Sequence, residues 1–287
     1  MIIIAQHIGQ LGNRLALFSH FIAFAREHRL TVANAAFEDY ATRFVTTDAD
    51  IFCRYPPARS WLKPNPKRRE WVYRLAARAV RELSRRPLPF IHICRLDRDV
   101  PFVLDADFAR IARRKIVFIC GYLFRMPDTL AESAPVLRDY FRPQEETMQA
   151  VSRSIQAARE GCDILCGVHI RHGDYREYVG GLHFYTTAEY AEIMVRAKAL
   201  FPGRKVAFLV CSNEPQEAAP FHGLHVSFGP GDLVEDMYAL AACDYIIGPP
   251  STFTVWSSFY GSVPLCCLMS ADAAFTLEDF QIRLAPV

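Results

Sequence analysis

The run His169-Ile170-Arg171-His172-Gly173-Asp174-Tyr175 follows an apolar stretch, Leu165 to His169, with the length and composition of a buried strand. Such a strand delivers Arg171, His172 and Asp174 together just beyond its carboxyl end. Arginine suits a diphosphate because its guanidinium holds several donors in a fixed fork and stays charged. Asp174 could orient that guanidinium, and Gly173 permits a tight turn. His169 could contact a nucleoside or finish the strand with a local hydrogen bond. Taken alone, the loop could also be an exposed, salt-bridged turn.

A second anion-holding element lies further along. Tyr245 to Ile247 reads as a strand, and the following GPPSTFTVW reads as a turn and helix entrance. Pro249 and Pro250 restrict the turn, and Ser251 and Thr252 set hydroxyls beside the unpaired N–H groups of the first helical turn. Those donors and the positive end of the helix dipole can hold phosphate. A simple N-cap would use the same residues. Upstream, Asp232 and Asp236 can accept hydrogen bonds from base N–H groups or ribose hydroxyls, or cap a helix. Ser212, Asn213 and Glu214 follow another apolar run; Asn213 and Glu214 could border a nucleoside or cap the next helix. Trp256, Phe259 and Tyr260 recur with helical spacing and belong to a core.

The N-terminal half offers less. GQLGNRL, from Gly9 to Leu15, is not a dinucleotide fingerprint, because its glycines do not form GxGxxG. Asn13 could polarise or position an acceptor hydroxyl but cannot serve as a strong base. His7 is a nearby proton acceptor or a loop hydrogen-bonding group; substrate phosphate or an unassigned carboxylate could take the base's place. Asp97 and Asp99 have the alternation of a hard-metal pair, but that spacing is common by chance and fits a solvent-facing turn. His169, His172 and His183 make no convincing metal set, and no metal site is expected.

These loops need strands and helices to hold them. Strands are expected at Ile2 to Ala5, near Leu30 to Ala33, at Phe90 to Cys94, Lys115 to Cys120, Leu165 to His169, Val206 to Val210, Leu224 to Ser227, Tyr245 to Ile247 and Pro264 to Leu268. Helices are expected from Arg14 to about Glu27, Arg69 to Ser84, Gln144 to Arg159, Thr187 to Leu200, Glu214 to Ala219, Leu233 to Ala242 and Thr252 to Tyr260. Alternation of short apolar runs with amphipathic stretches favours a mostly parallel sheet with crossover helices, whose functional loops gather at the strands' carboxyl ends. With 287 residues the chain can form two domains, divided here as 1–150 and 151–287, with the Gln144 to Arg159 helix as a bridge.

No run approaches the 18 or more apolar residues of a spanning helix. The opening MIIIAQ reads as a strand rather than a secretory signal. Nine cysteines without a CxxC pair read as buried thiols in a reducing, cytoplasmic setting. The net charge of +2 conceals a basic belt from Arg54 to Arg86, opposed locally only by Glu70 and Glu82. Its Arg69 to Arg86 portion can form an amphipathic helix carrying Val72, Leu75, Ala76, Ala79 and Leu83 on one side. That helix could draw the protein to the inner face of an anionic membrane, or bury its apolar stripe and show a basic face to solvent. No nucleic-acid reader motif accompanies it, and nucleic acid is not an expected partner.

Three of these segments together resemble the bacterial α-1,2-fucosyltransferases and, more distantly, the wider fucosyltransferase superfamily. They are GQLGNRL, HIRHGDY and EDMYALAACDYIIGPPSTFTVWSSF, the last from Glu235 to Phe259; they sample nearly the whole chain. The resemblance implies an α/β fold of GT-B type, with two Rossmann-like domains facing across a cleft. Residues 1–150 would bind the acceptor glycan and 151–287 the nucleotide sugar. It implies inverting transfer from GDP-fucose without an obligatory metal or other cofactor. Arg171 is then the diphosphate contact, His169 a donor contact and Asp174 a support for the loop. Asp236 becomes the stronger of the two helix-entrance carboxylates, Ser251 and Thr252 become donor ligands, and Asn13 approaches the reacting groups. His172 stands where the family has a second arginine, and Ser212-Asn213-Glu214 where related sequences carry an SDD-like segment. Those departures leave open another nucleotide-activated sugar, or a module that binds nucleotide sugar without transferring it.

Overall fold

The computed structural model describes residues 1–96, 100–126 and 129–286, so Asp97 and Asp99 lie outside the described residues. The chain divides into two units, Met1–Gln144 and Glu145–Val287. Each is an α/β layer structure around its own sheet.

Unit 1 contains β1 (Ile2–Ile4), α1 (Leu11–His28), β2 (Val32–Asn34), α2 (Val45–Asp48), β3 (Arg54–Tyr55), α3 (Pro66–Arg85), β4 (Ile91–Arg95), β5 (Phe102–Val103), α4 (Ala106–Arg114), β6 (Ile116–Cys120), β7 (Phe124–Arg125) and α5 (Ala134–Tyr140). Its main sheet runs β3-β2-β1-β6-β4, parallel except for β3 against β2, while β5 and β7 form a separate short ladder. Ile2 and Ile4 are buried on one side of β1, and Ile3 packs against α3 on the other, the period of two that a sheet covered on both faces requires. α1 is apolar almost all round and is buried from Leu11 to Ala25 apart from Asn13 and Arg14. Phe18 on it anchors an aromatic cluster with Phe37, Tyr140 and Phe141, ring centroids 5.4–5.8 Å apart, spacings at which edge-on ring packing is favourable.

On α3 the expected basic face is only partly free. Arg69 is turned inward, 1% exposed, and donates to the carbonyls of Asp50 and Asp48, each at 2.8 Å. Val72, Ala76 and Val80 are buried beside it. Arg69 is therefore withdrawn from any surface contact: its guanidinium is taken up by the carbonyls of the 48–50 turn, where it joins the Cys53 N–H at the Asp50 oxygen.

Unit 2 contains α6 (Glu145–Ala158), β8 (Ile164–Ile170), α7 (Thr187–Ala199), β9 (Val206–Ser212), β10 (His225–Phe228), α8 (Leu233–Leu240), β11 (Tyr245–Gly248), α9 (Thr252–Gly261) and β12 (Leu265–Cys267). All five strands are parallel, in the order β10-β9-β8-β11-β12. The helix expected to bridge the domains, α6, belongs to unit 2 and packs on α8. The helix expected from Glu214 to Ala219 is absent. Pro215 and Pro220 interrupt it, Glu214 is held by Arg176 through two bonds of 2.9 and 3.0 Å, and a 3₁₀ turn forms only at Ala219–Phe221. No helix among the described residues is long and apolar enough to cross a membrane.

Candidate functional site

In unit 2 the chain order along the sheet reverses between β8 and β11: β9 and β10 lie on one side of β8, β11 and β12 on the other. At such a switch point the loops leaving the carboxyl ends of the strands diverge and leave a crevice. A cavity of about 230 Å³ opens there. Its walls are His169 and Arg171 beyond β8, Cys211, Ser212 and Asn213 at the end of β9, Gly231, Leu233 and Asp236 around the start of α8, and Phe253 in the first turn of α9. A neighbouring hollow of about 350 Å³ shares Ser212, Asn213, Gly231 and Asp236 and extends past Glu214 and Gln216.

Arg171 is largely buried, and its guanidinium reaches Asp174 at 2.9 Å, the orienting contact read from the sequence. It lies over the Tyr175 ring, 5.4 Å from the centroid, a contact worth about 0.5–1 kcal/mol or more as water is excluded. The Tyr175 hydroxyl donates to the Pro250 carbonyl at 2.8 Å, tying the loop after β8 to the turn before α9. Ser251 is the N-cap of α9, its Oγ accepting from Phe253 N–H at 3.2 Å. Thr252 opens the helix. Neither forms the cavity wall, which passes to Phe253, the next residue.

His169 ends in the buried core of the site, its ring stacked on Phe253 at 4.6 Å between centroids. Burial, with Arg171 adding to it, pushes its pKa down to about 3, so the ring is neutral. Its Nδ1 is buried without a protein partner. Asp236, 6% exposed, accepts from Gly231 N–H at 2.9 Å. Burial raises its pKa to about 6, with Asp232 and Glu235 adding to the shift against that hydrogen bond. Asp232 is the N-cap of α8, accepting from the N–H groups of Val234 and Glu235.

His172 points away from the cavity. It is buried, with Nε2 on the Tyr185 carbonyl at 2.9 Å and Nδ1 within 3.3 Å of Gln216 Nε2. The carbonyl fixes Nε2 as donor, leaving Nδ1 to accept from the amide. His172 is a strut for the loop, and its backbone N–H is taken by Asn213 Oδ1 at 2.8 Å. Gly173 has φ +57°, and a Cβ there would stand 2.8 Å from Asn213 Nδ2, so this contact requires glycine.

The sequence-predicted residues of unit 1 lie at the carboxyl end of its own sheet, in the loop after β1. Gly9 has φ +56°, and any Cβ there would collide with the Asn13 side chain. That glycine lets the Asn13 amide fold back over the loop as α1 begins. His7 carries a partner that the sequence reading missed: its Nε2 is 2.7 Å from Glu38 Oε1. Glu38 follows β2, the neighbouring strand, and its carboxyl is 9% exposed with its pKa raised by burial. The His7 ring is also stacked on Tyr73 of α3, centroids 3.9 Å apart and planes 3° from parallel. With Glu38 ionised, Nε2–H donates to the carboxylate and Nδ1 is left as the proton acceptor. Asp39 also lies within 4.8 Å of these groups, a set that could hold a metal ion. Arg14 also pairs with Asp39, at 3.0 Å.

Unit 2 thus gathers His169, Arg171, Asn213 and Asp236 in one cavity, with Asp174 behind Arg171 and Ser251 and Thr252 one step along the helix; His7 and Asn13 share one loop of unit 1. Tyr175 and Phe253 were legible only as members of their motifs. Glu38 gave no local signal, since nothing near it in sequence marks its contact with a residue 31 positions away.

No family model and no curated protein matches the chain. Solved structures do share its fold. A mutant of Arabidopsis thaliana FUT1 in complex with GDP is 14% identical, with 92% of this chain and 69% of that chain covered and a TM-score of 0.58. NodZ α-1,6-fucosyltransferase, a protein from Bradyrhizobium, in a crystal soaked with GDP-fucose, is 16% identical, with 96% and 97% covered and a TM-score of 0.55. POFUT1 in complex with GDP is 11% identical, with 91% and 94% covered and a TM-score of 0.54. At these identities what is shared is the fold: two Rossmann-like units of GT-B type.

Proposed function

We propose that this protein is an inverting glycosyltransferase that moves fucose from GDP-fucose to a hydroxyl of an acceptor glycan, forming an α-1,2 linkage. The reading is carried by the presence of Arg171 and Asp236 in one cavity at the switch point of a parallel sheet. An arginine fork suits a diphosphate. A carboxylate suits guanine, whose ring N–H and amino group are neighbouring donors on one edge, where adenine presents an acceptor between its own groups. The GDP or GDP-fucose named for the structurally similar proteins agrees with that chemistry. His172 turns inward onto the Tyr185 carbonyl, so Arg171 is the one cation that the HIRHGD loop brings to the cavity wall. The α-1,2 linkage rests on the motif resemblance, since NodZ is an α-1,6 enzyme.

In this reading unit 2 holds the donor and unit 1 the acceptor. The acceptor oxygen attacks C1 of fucose, the bond from C1 to the β-phosphate oxygen breaks with inversion, and the hydroxyl proton passes to His7 Nδ1. Glu38 steadies the imidazolium that forms, and Asn13 orients the hydroxyl. Arg171 and the amino end of α9 stabilise the departing GDP, where charge develops in the transition state. The chain's own groups supply this charge compensation, so the reading assigns no metal a step. The nine free cysteines fit a cytoplasmic, reducing setting.

A donor screen with intact acceptor glycans, followed by product linkage determination, tests the proposal. GDP-fucose should be used best and the product should be α-1,2-linked. A clear preference for another nucleotide sugar rejects the donor, and another linkage rejects the regiochemistry. Nucleotide binding without product across a broad acceptor panel rejects the transferase reading.

A further inference from the structure

The sheet face of unit 1 that carries Ile3, Ala33 and Phe118 is covered by one helix, α3, which leaves an apolar slot of about 470 Å³. That volume lies within the range of ligand pockets. The slot runs between the strands and Val72, Leu75, Ala76 and Ala79, and Trp71 stands at its edge, 62% exposed. Its wall is largely carbon: of the charged residues lining it, Arg54 is committed to Asp50 through bonds of 2.7 and 2.9 Å, and the Met1 ammonium donates to the Ala112 carbonyl at 3.1 Å.

The exposed side of the same helix has the opposite character. Lys67, Arg74, Arg78, Arg81 and Arg85 are all exposed and recur at spacings of seven, four, three and four, which aligns them in one stripe along the helix. Trp71 and Leu75 border that stripe on the flank that leads into the slot, and Trp61, Leu88 and Phe90 are exposed near the helix ends. The exposed acids on α3 are Glu70 and Glu82, and Glu70 pairs with Arg74. A row of cations beside aromatic and aliphatic side chains at the mouth of an apolar slot matches an anionic lipid: headgroups meet the stripe, and a hydrocarbon chain meets the carbon wall.

We propose that unit 1 docks on an anionic membrane surface through α3 and takes one acyl or prenyl chain of a membrane lipid into the slot beneath it. Binding through the stripe alone would leave the slot empty. The chain is what makes α3 a specific lipid site rather than a basic helix resting on charge. This inference is independent of the donor chemistry of unit 2.

The test is flotation with vesicles of phosphatidylcholine containing phosphatidylglycerol, combined with quenching of Trp71 by bromine-labelled acyl chains. A Trp61→Phe background removes the other exposed indole, and Trp256 is core. The protein should float with anionic vesicles at low salt and Trp71 should be quenched. Arg78→Glu with Arg81→Glu should weaken binding by about tenfold or more, as should high salt. Ala79→Phe, which fills the slot, and Leu75→Ser, which roughens its mouth without changing the core, should each remove most quenching while leaving salt-sensitive flotation. Circular dichroism checks that each variant is folded. Absence of flotation at low salt overturns the proposal. So does flotation without Trp71 quenching, quenching unchanged in both slot variants, or a concentration-dependent dimer that both slot variants abolish, since a second copy would then be the occupant.

Discussion

Both units place their functional candidates beyond the carboxyl ends of parallel strands, yet they do so with different degrees of convergence. In unit 2, groups from the ends of β8 and β9 and the starts of α8 and α9 meet in one cavity. In unit 1 a single ring is held: His7, gripped by Glu38 in the turn after the neighbouring strand β2 and by Tyr73 on α3. Holding a multiply charged nucleotide requires several fixed donors and acceptors that replace its water together. Presenting a proton acceptor requires one well-oriented nitrogen. Both sheets have five strands and a reversal of strand order, beside β1 in unit 1 and beside β8 in unit 2; they differ in that unit 1 is edged by the antiparallel β3.

The sharpest way to break the comparison is Arg171→Ala. If unit 2 holds the donor, turnover of GDP-fucose should fall on the order of 10²–10³-fold, while the unfolding temperature stays close to that of the parent. A normal donor response in a folded Arg171→Ala protein removes this residue from the site. Glu38→Gln comes next: it keeps the shape of the pair but cannot stabilise an imidazolium, so kcat should fall about 10–100-fold with nucleotide affinity unchanged. Equal losses in nucleotide affinity would mean that the two units do not divide the work as proposed.

Asp236→Asn should weaken GDP binding by roughly tenfold, since a charge-assisted contact becomes a neutral one. Its pH signature is more specific. A carboxyl raised from 3.8 to about 6 on folding is held more tightly by its proton in the folded state. Stability of the nucleotide-free protein should therefore fall as pH rises from about 4 through 6, by up to roughly 3 kcal/mol. The Asn variant lacks this slope, so calorimetry should find it more stable than the parent at pH 7.5 and similar at pH 4. GDP affinity of the parent should strengthen as pH rises through about 6; parallel melting curves for the two proteins across this range would refute the assignment. The smallest effect belongs to Ser251→Ala. As the N-cap of α9 it should cost about 1 kcal/mol of stability with little change in the KM for donor; a large KM increase would instead make its hydroxyl a direct ligand.

Much of unit 2 was legible because its strands are regular apolar runs and its loops carry chemically distinctive residues. Arg171 and Asp236 line one cavity, and Asp174 pairs with Arg171 behind it. The inward turn of His172 was not legible, because its partners Tyr185 and Gln216 come from separate segments. In unit 1, α4 escaped notice despite the Asp105 N-cap, whose side chain accepts from Phe108 N–H, because the helix is short and bounded by residues of weak periodicity. The helix read at Glu214 failed for the opposite reason: polar residues that favour a helix were outweighed by two prolines and by the Arg176 ion pair. Local pattern reports what a segment can form, whereas pairs such as His7 and Glu38 exist only once the sheet has brought two loops together.

The bond from Tyr175 to Pro250 spans 75 residues of chain. The candidate site therefore does not exist until β8 and β11 lie side by side, and the nucleotide proposed for it would have no counterpart site in the unfolded chain. By mass action such a ligand should raise the melting temperature in proportion to the logarithm of its concentration once the site is saturated. It should also rescue variants damaged elsewhere in unit 2, so that nucleotide supply would set how much mutational damage this half of the protein tolerates.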